Sequence, residues 1–112
     1  MPQIRITAFK PKKPIDIEAF AKTIAERAGV DVIRLTITFN FHDDTTYYRG
    51  RKDGAASVAI TLPEINGEEF IKNLGVVVAK VTQEFLELPE NAVALSMRAT
   101  PKGYSYNRGE FK

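Results

Sequence analysis

Apolar and polar positions alternate almost from the first residue: Ile4, Ile6 and Ala8 fall on one side of an extended chain and Gln3, Arg5 and Thr7 on the other, which predicts a strand over residues 4–9. The period then changes. After a basic, proline-bearing loop at residues 10–14, Asp16 is placed to cap a helix in which Ile17, Phe20, Ala21, Ile24, Ala25 and Ala28 recur at helical spacing. Gly29 is expected to end it, because a residue without Cβ enters the left-handed backbone that closes a helix. Alternation returns from residue 32 to about 41, with Ile33, Leu35, Ile37, Phe39 and Phe41 against Arg34, Thr36, Thr38 and Asn40. The first half therefore reads as a β-α-β unit.

The second half repeats the plan. His42, Asp43, Asp44 and Thr45 read as a turn, and residues 46–49 as the return arm of a hairpin, before the glycine-flanked segment 50–54 resets the chain. Residues 56–62 form a strand that echoes residues 2–7. Asn66 is expected to cap a second helix with acids in its first turn, running to about Leu86, where Ile71, Leu74, Val78, Val81 and Phe85 line the inner face. Leu88 and Pro89 stop it, and residues 93–98 alternate again as a closing strand. The prediction is an α+β fold: one domain over residues 1–112, built of two tandem β-α-β repeats at about 2–49 and 55–112, forming a four-stranded mixed sheet with two helices on one face. Right-handed crossovers put both helices there. The opposite face then carries Gln3, Arg5, Thr7, Arg34, Thr36, Thr38, Ser96 and Arg98, which is polar and short of acids. The aromatic tail after Pro101 is suited to adding a short strand to a neighbouring sheet edge.

Composition narrows the chemistry. With 112 residues and 44% hydrophobic content the chain can bury a real core, and the lack of cysteine excludes disulfides, thiol catalysis and cysteine-ligated zinc. No charged leader followed by an apolar stretch opens it, and the most apolar segment, residues 74–79, is too short to span a bilayer. The expectation is a soluble, cytoplasmic protein with no membrane partner. Sixteen basic against 14 acidic residues leave a net charge of +2, too balanced to require a polyanion, although basic residues cluster at Lys10, Lys12 and Lys13 and at Arg49, Arg51 and Lys52. His42 beside Asp43 and Asp44 lacks metal-ligand spacing, and Gly50, Gly54 and Gly67 make no phosphate loop. No metal or cofactor is expected.

The candidate chemistry lies at Pro2. If Met1 is removed, the chain starts with a secondary amine held at the head of a rigid strand, and α-amines titrate at about 7.7 to 8.0, close enough to neutrality for general-base work. Burial would lower that value and leave more free base.

A proline opening the first strand of a duplicated β-α-β chain resembles the tautomerase superfamily, in particular its macrophage migration inhibitory factor-like branch. The resemblance covers the whole chain in architecture and a few residues in sequence. Pro2 takes the place of the superfamily's catalytic proline. Val32-Ile33-Arg34-Leu35-Thr36-Ile37-Thr38 is similar to the second-strand segment of 4-oxalocrotonate tautomerase, which implies that Arg34 binds a substrate carboxylate. Lys12 falls in the loop where that enzyme has a second arginine, and keeps the charge without the bidentate fork. Tyr47 and Tyr48 lie where the family has an aromatic pocket wall. The lysine that follows the first helix in migration inhibitory factor is not matched, since Gly29 is followed by Val30. The opening Met1-Pro2-Gln3-Ile4-Arg5 and the tail from Tyr104 to Phe111 are closer in texture to an uncharacterised bacterial family of the superfamily, which brings no known reaction.

What the resemblance implies is a cofactor-free tautomerase or isomerase acting through Pro2 on a small carboxylate-bearing enol or keto acid, assembled as a homotrimer. The alternative is a non-catalytic oligomer of the same fold that binds a ligand or partner. An RNA-binding ferredoxin-like domain fits less well: such sheets present aromatic and basic residues together, whereas Phe39 and Phe41 share the predicted core face. No specific nucleic acid is expected.

Overall fold

The computed structural model describes residues 1–50 and 55–112. Strand β1, Gln3–Phe9, leads into helix α1, Ile17–Ala28, and strand β2, Thr36–His42; strand β3, Ala56–Pro63, leads into helix α2, Glu68–Phe85, and strand β4, Val93–Thr100. The sheet order is β2-β1-β3-β4, with β1 parallel to β2, β3 parallel to β4, and β1 antiparallel to β3. The two β-α-β units thus meet along their first strands, where Ile4 faces Ile60 and Ile6 faces Val58.

Both helices cover one face, as the repeat predicts. Ile4 and Ile6 of β1, Val58, Ile60 and Leu62 of β3, Phe20 and Ile24 of α1, and Leu74, Val78 and Val81 of α2 form one buried cluster, with Ile37, Phe39 and Phe41 packed at its margin. Phe20 is its hub, meeting Phe39 and Phe85 edge-on with ring centroids 4.9 and 5.3 Å apart. A fully buried side chain of this size contributes about 1.5–3 kcal/mol by transfer alone. The α1 boundaries follow the local signals: Asp16 accepts the Ala19 N–H at 3.1 Å, and Gly29 closes the helix at φ 73°. Gly75 lets α2 lie close on β4, since a Cβ there would come within 2.8 Å of Met97 Sδ.

Four expectations are corrected. The second strand begins at Thr36, not at residue 32. Val32–Arg34 is instead a 3₁₀ turn, in which Asp31 accepts the Ile33 N–H on its side chain at 3.2 Å and the Arg34 N–H on its carbonyl at 3.0 Å. A short aspartate side chain offers the backbone local partners that compete with a sheet ladder, and Ile33 is left 77% exposed. Arg34 is therefore on a turn and not on the sheet face. Second, residues 46–49 are not a return arm: Asp43 gathers Thr45 and Thr46 into a turn, and among the described residues β2 pairs only with β1. Third, the cap of α2 is Gly67; Asn66 belongs to the 3₁₀ turn Glu64–Asn66 and donates its side-chain N–H to the Pro63 carbonyl at 2.9 Å. Fourth, the closing strand runs two residues beyond Arg98. The tail closes on itself, with β5, Tyr106–Asn107, antiparallel to β6, Glu110–Phe111. Among the described residues no helix is long and apolar enough to cross a membrane.

Candidate functional site

Pro2 is buried at the head of β1, and its carbonyl accepts the Thr36 N–H at 3.1 Å. The strand starts of β1 and β2 are thereby fastened side by side, and Arg34 lies one turn upstream of that bond, exposed. With Met1 in place the Pro2 nitrogen is an amide and has no basic lone pair. Pro2 and Arg34 are thus neighbours at one end of the sheet.

The other candidates gather at the opposite end. The seven residues of β1 span about 20 Å at about 3.3 Å each, and Lys12 follows that strand in the loop to α1. It borders a cleft of about 280 Å³ shared by Lys10, Lys13, Phe9 and Leu88, where Lys13 pairs with Glu87 at 3.6 Å. Tyr47 and Tyr48 part company here. Tyr48 is 85% exposed, whereas Tyr47 is half-buried, its ring 4.9 Å from Phe9 and 5.4 Å from His42. A single chain brings Pro2 and Arg34 together, and Tyr47 and Lys12 to the same far end, but it does not join the two groups.

Arg49 went unnoticed in the sequence, where it reads as one of a run of loop cations. In the structure it is half-buried and its Nη1 donates to Tyr47 Oη at 3.2 Å and to Ser57 Oγ at 2.6 Å. The only local hint was Ser57, a polar residue on the outward side of a strand whose inward positions are all apolar. Thr7, paired with Ser57 across β1 and β3, and Asn40, paired with Thr7, continue the polar surface. Arg5 and Arg98 lie exposed on this same helix-free face, as the alternation predicts. Asp43 is held below the usual carboxylate range by the Thr45 hydroxyl and then the Thr45 backbone N–H donating to it. Among the described residues no group of histidines and carboxylates could hold a metal ion.

No family model matches the sequence, and no curated protein matches it either. Solved structures do. Pt0534 inactivated by 2-oxo-3-pentynoate superposes with a TM-score of 0.78 at 15% identity, covering 97% of this chain and 94% of that one. The Toxoplasma gondii macrophage migration inhibitory factor gives 0.70 at 11% identity over 97% of this chain and 99% of its own. The chain has the macrophage migration inhibitory factor fold. The wild-type R7 fused 4-OT, an asymmetric trimer, shares it at a TM-score of 0.78 and 10% identity, over 97% and 94% of the two chains. Identities this low establish the α+β tautomerase architecture, a four-stranded mixed sheet with two helices, and nothing finer.

Proposed function

We propose that this protein, once Met1 is removed, is a cofactor-free tautomerase acting on small enol or keto acids. The observation that carries the reading is a proline buried at the head of the first strand of this fold, one turn from an arginine. The freed secondary amine of Pro2 takes a proton from the carbon beside a carbonyl and returns it elsewhere on the conjugated system. Arg34 holds the carboxylate or the developing enolate oxygen by charge-assisted hydrogen bonds. Lys12 adds positive charge, and Tyr47 and Tyr48 supply an aromatic wall and a hydroxyl donor. A single domain over residues 1–112 carries all of these groups.

Because Pro2 and Tyr47 lie at opposite ends of β1, a site using both needs a second copy, which supports a homotrimer. A closed ring of head-to-tail contacts brings the far end of one sheet to the near end of the next. A second reading, a non-catalytic oligomer of the same fold, is favoured by one observation, the distance along β1 that keeps Tyr47, beside Phe9, away from Pro2. The deciding experiment pairs the intact mass of protein from its native host with phenylpyruvate tautomerisation by the processed and Met1-retaining forms. Processed chains that are active, with retained ones reduced on the order of 10²- to 10⁴-fold, are expected. No activity across a panel of enol and keto acids would leave the non-catalytic reading, and equal rates would remove Pro2 as the base.

A further inference from the structure

We infer that Arg49 is a carboxylate anchor on the helix-free face of the sheet, and that its ligand is a planar, conjugated monocarboxylate. The guanidinium is half-buried, yet its two hydrogen-bond partners among the described residues are neutral hydroxyls, Tyr47 Oη and Ser57 Oγ, and both are met by the same nitrogen, Nη1. Nη2 and Nε make no hydrogen bond to the described residues. Nor does any carboxylate among the described residues lie within ion-pair distance of Arg49. Asp43, six residues before Arg49, turns to Thr45 and Thr46. A partly desolvated cation whose partners among the described residues are neutral is offset best by an anion, and the guanidinium fork matches a carboxylate in shape.

The two hydroxyls add to this. Each accepts a hydrogen bond from Arg49, so each keeps its own proton to donate to an anion seated on the remaining guanidinium edge. The Tyr47 ring is itself fixed against Phe9 and His42, at 4.9 and 5.4 Å, which provides an aromatic surface beside the charge. A flat, conjugated body stacks on such a surface while its carboxylate meets the fork. Arg49 is the one cation among the described residues of the cluster, which matches a ligand of charge one.

The inference rests on the tautomerase proposal only in making this ligand a substrate: Arg49 would take the carboxylate and leave Arg34 of another copy to face the enolate oxygen. Binding itself needs no chemistry at Pro2. The test is therefore a nuclear magnetic resonance titration of the full chain retaining Met1, with trans-cinnamate as probe and neutral cinnamamide as its isostere. Saturable shifts at Tyr47, Ser57 and the Arg49 Nε–H are expected, with cinnamate bound about tenfold more tightly than cinnamamide. Arg49→Gln should reduce cinnamate to the cinnamamide level, and Arg49→Lys should fall between. Equal binding of the two probes, or cinnamate binding untouched by Arg49→Gln, overturns the site. If Arg49→Gln loses its dispersed spectrum, the comparison of the two probes on the wild-type chain decides alone. Arg49-dependent binding in a protein whose processed form is inactive would sink the tautomerase proposal and keep the site; an active enzyme without such binding would do the reverse.

Discussion

The Pro2 carbonyl accepts the backbone N–H of Thr36 at 3.1 Å, and this bond fastens the head of β1 to the head of β2. It fixes the proline in a ladder and sets Arg34, two residues before Thr36, just outside it. A base is useful only where its geometry is held, and the parallel register from Gln3 and Thr36 to Phe9 and His42 supplies that rigidity along the whole strand.

Arginines at the two places should behave differently. Arg34→Ala is expected to lower kcat/KM for a carboxylate substrate about tenfold or more, as the loss of a charge-assisted contact to the carboxylate or the enolate oxygen does. Arg5→Ala, on the open sheet face, should change kcat/KM by less than about threefold. Steady-state kinetics of the processed protein separate the two, and a larger effect at Arg5 would overturn the role given to Arg34.

Assembly is open to direct measurement. Light scattering coupled to size exclusion should give three chains per particle, because the far end of β1, with Tyr47 and Lys12, otherwise never meets Pro2. A monomer at micromolar concentration would defeat any site built from both ends.

The fold was legible where its cause is local. Ile4 and Ile6 needed only a period of two, and α1 only its stripe, Asp16 and Gly29, since each element carries its own signals within a few residues. The failures share a different cause. Ile33, Leu35 and Ile37 alternate whether or not the chain is extended, and the bonds from Asp31 that curl residues 32–34 are not visible in that alternation. Asn66 lost the helix cap to Gly67 because its side chain found the Pro63 carbonyl first. The Arg49 contact with Ser57 depends on β3 lying beside β1, a long-range pairing that no window of sequence reports. Of the candidate site, Arg34 was expected on the second strand and lies on the turn before it, and its separation, with Pro2, from Tyr47 follows from where β2 and its turn end.

At Gly75 helix α2 lies directly against β4. A Cβ there would lie 2.8 Å from Met97 Sδ and 3.4 Å from Leu95 Cδ2. Alanine gains about 1 kcal/mol of helix propensity and Met97 is flexible, so Gly75→Ala should stay within about 1 kcal/mol of wild type. Gly75→Val cannot be absorbed in this way and should cost about 1–3 kcal/mol in urea unfolding. Adding Met97→Ala should recover part of that loss, and strict additivity would show that the two side chains do not compete for the space.

The Asp43 turn should loosen in acid. Its carboxyl is depressed because the charged form accepts from the Thr45 hydroxyl and backbone N–H, so its contribution is complete above the ordinary aspartate value of about 3.9 and disappears as pH falls through the lower folded value. The Thr45 amide resonance should be flat from neutrality to about pH 5 and then titrate, and Asp43→Asn should abolish the titration. A Thr45 amide that moves at neutral pH and is still at low pH would reverse the sign.

Thr82 carries the one buried side-chain polar atom without a hydrogen-bond partner among the described residues: it is fully buried on α2, and its Oγ1 meets no donor or acceptor of the protein. Leaving a buried hydroxyl unsatisfied costs about 1–3 kcal/mol, while valine keeps the β-branched shape and removes the polar atom. Thr82→Val should therefore unfold at an equal or higher urea concentration, by up to about 1 kcal/mol. Thr82→Ala removes the methyl as well and opens space beside Val78 and Val81, so it should lose about 1–2 kcal/mol by the lost burial and the cavity. The order Val, Thr, Ala is what an orphaned hydroxyl predicts. If valine proves the least stable of the three, the hydroxyl has a partner in solution, and its burial on the inner face of α2 becomes part of what holds that helix to the sheet.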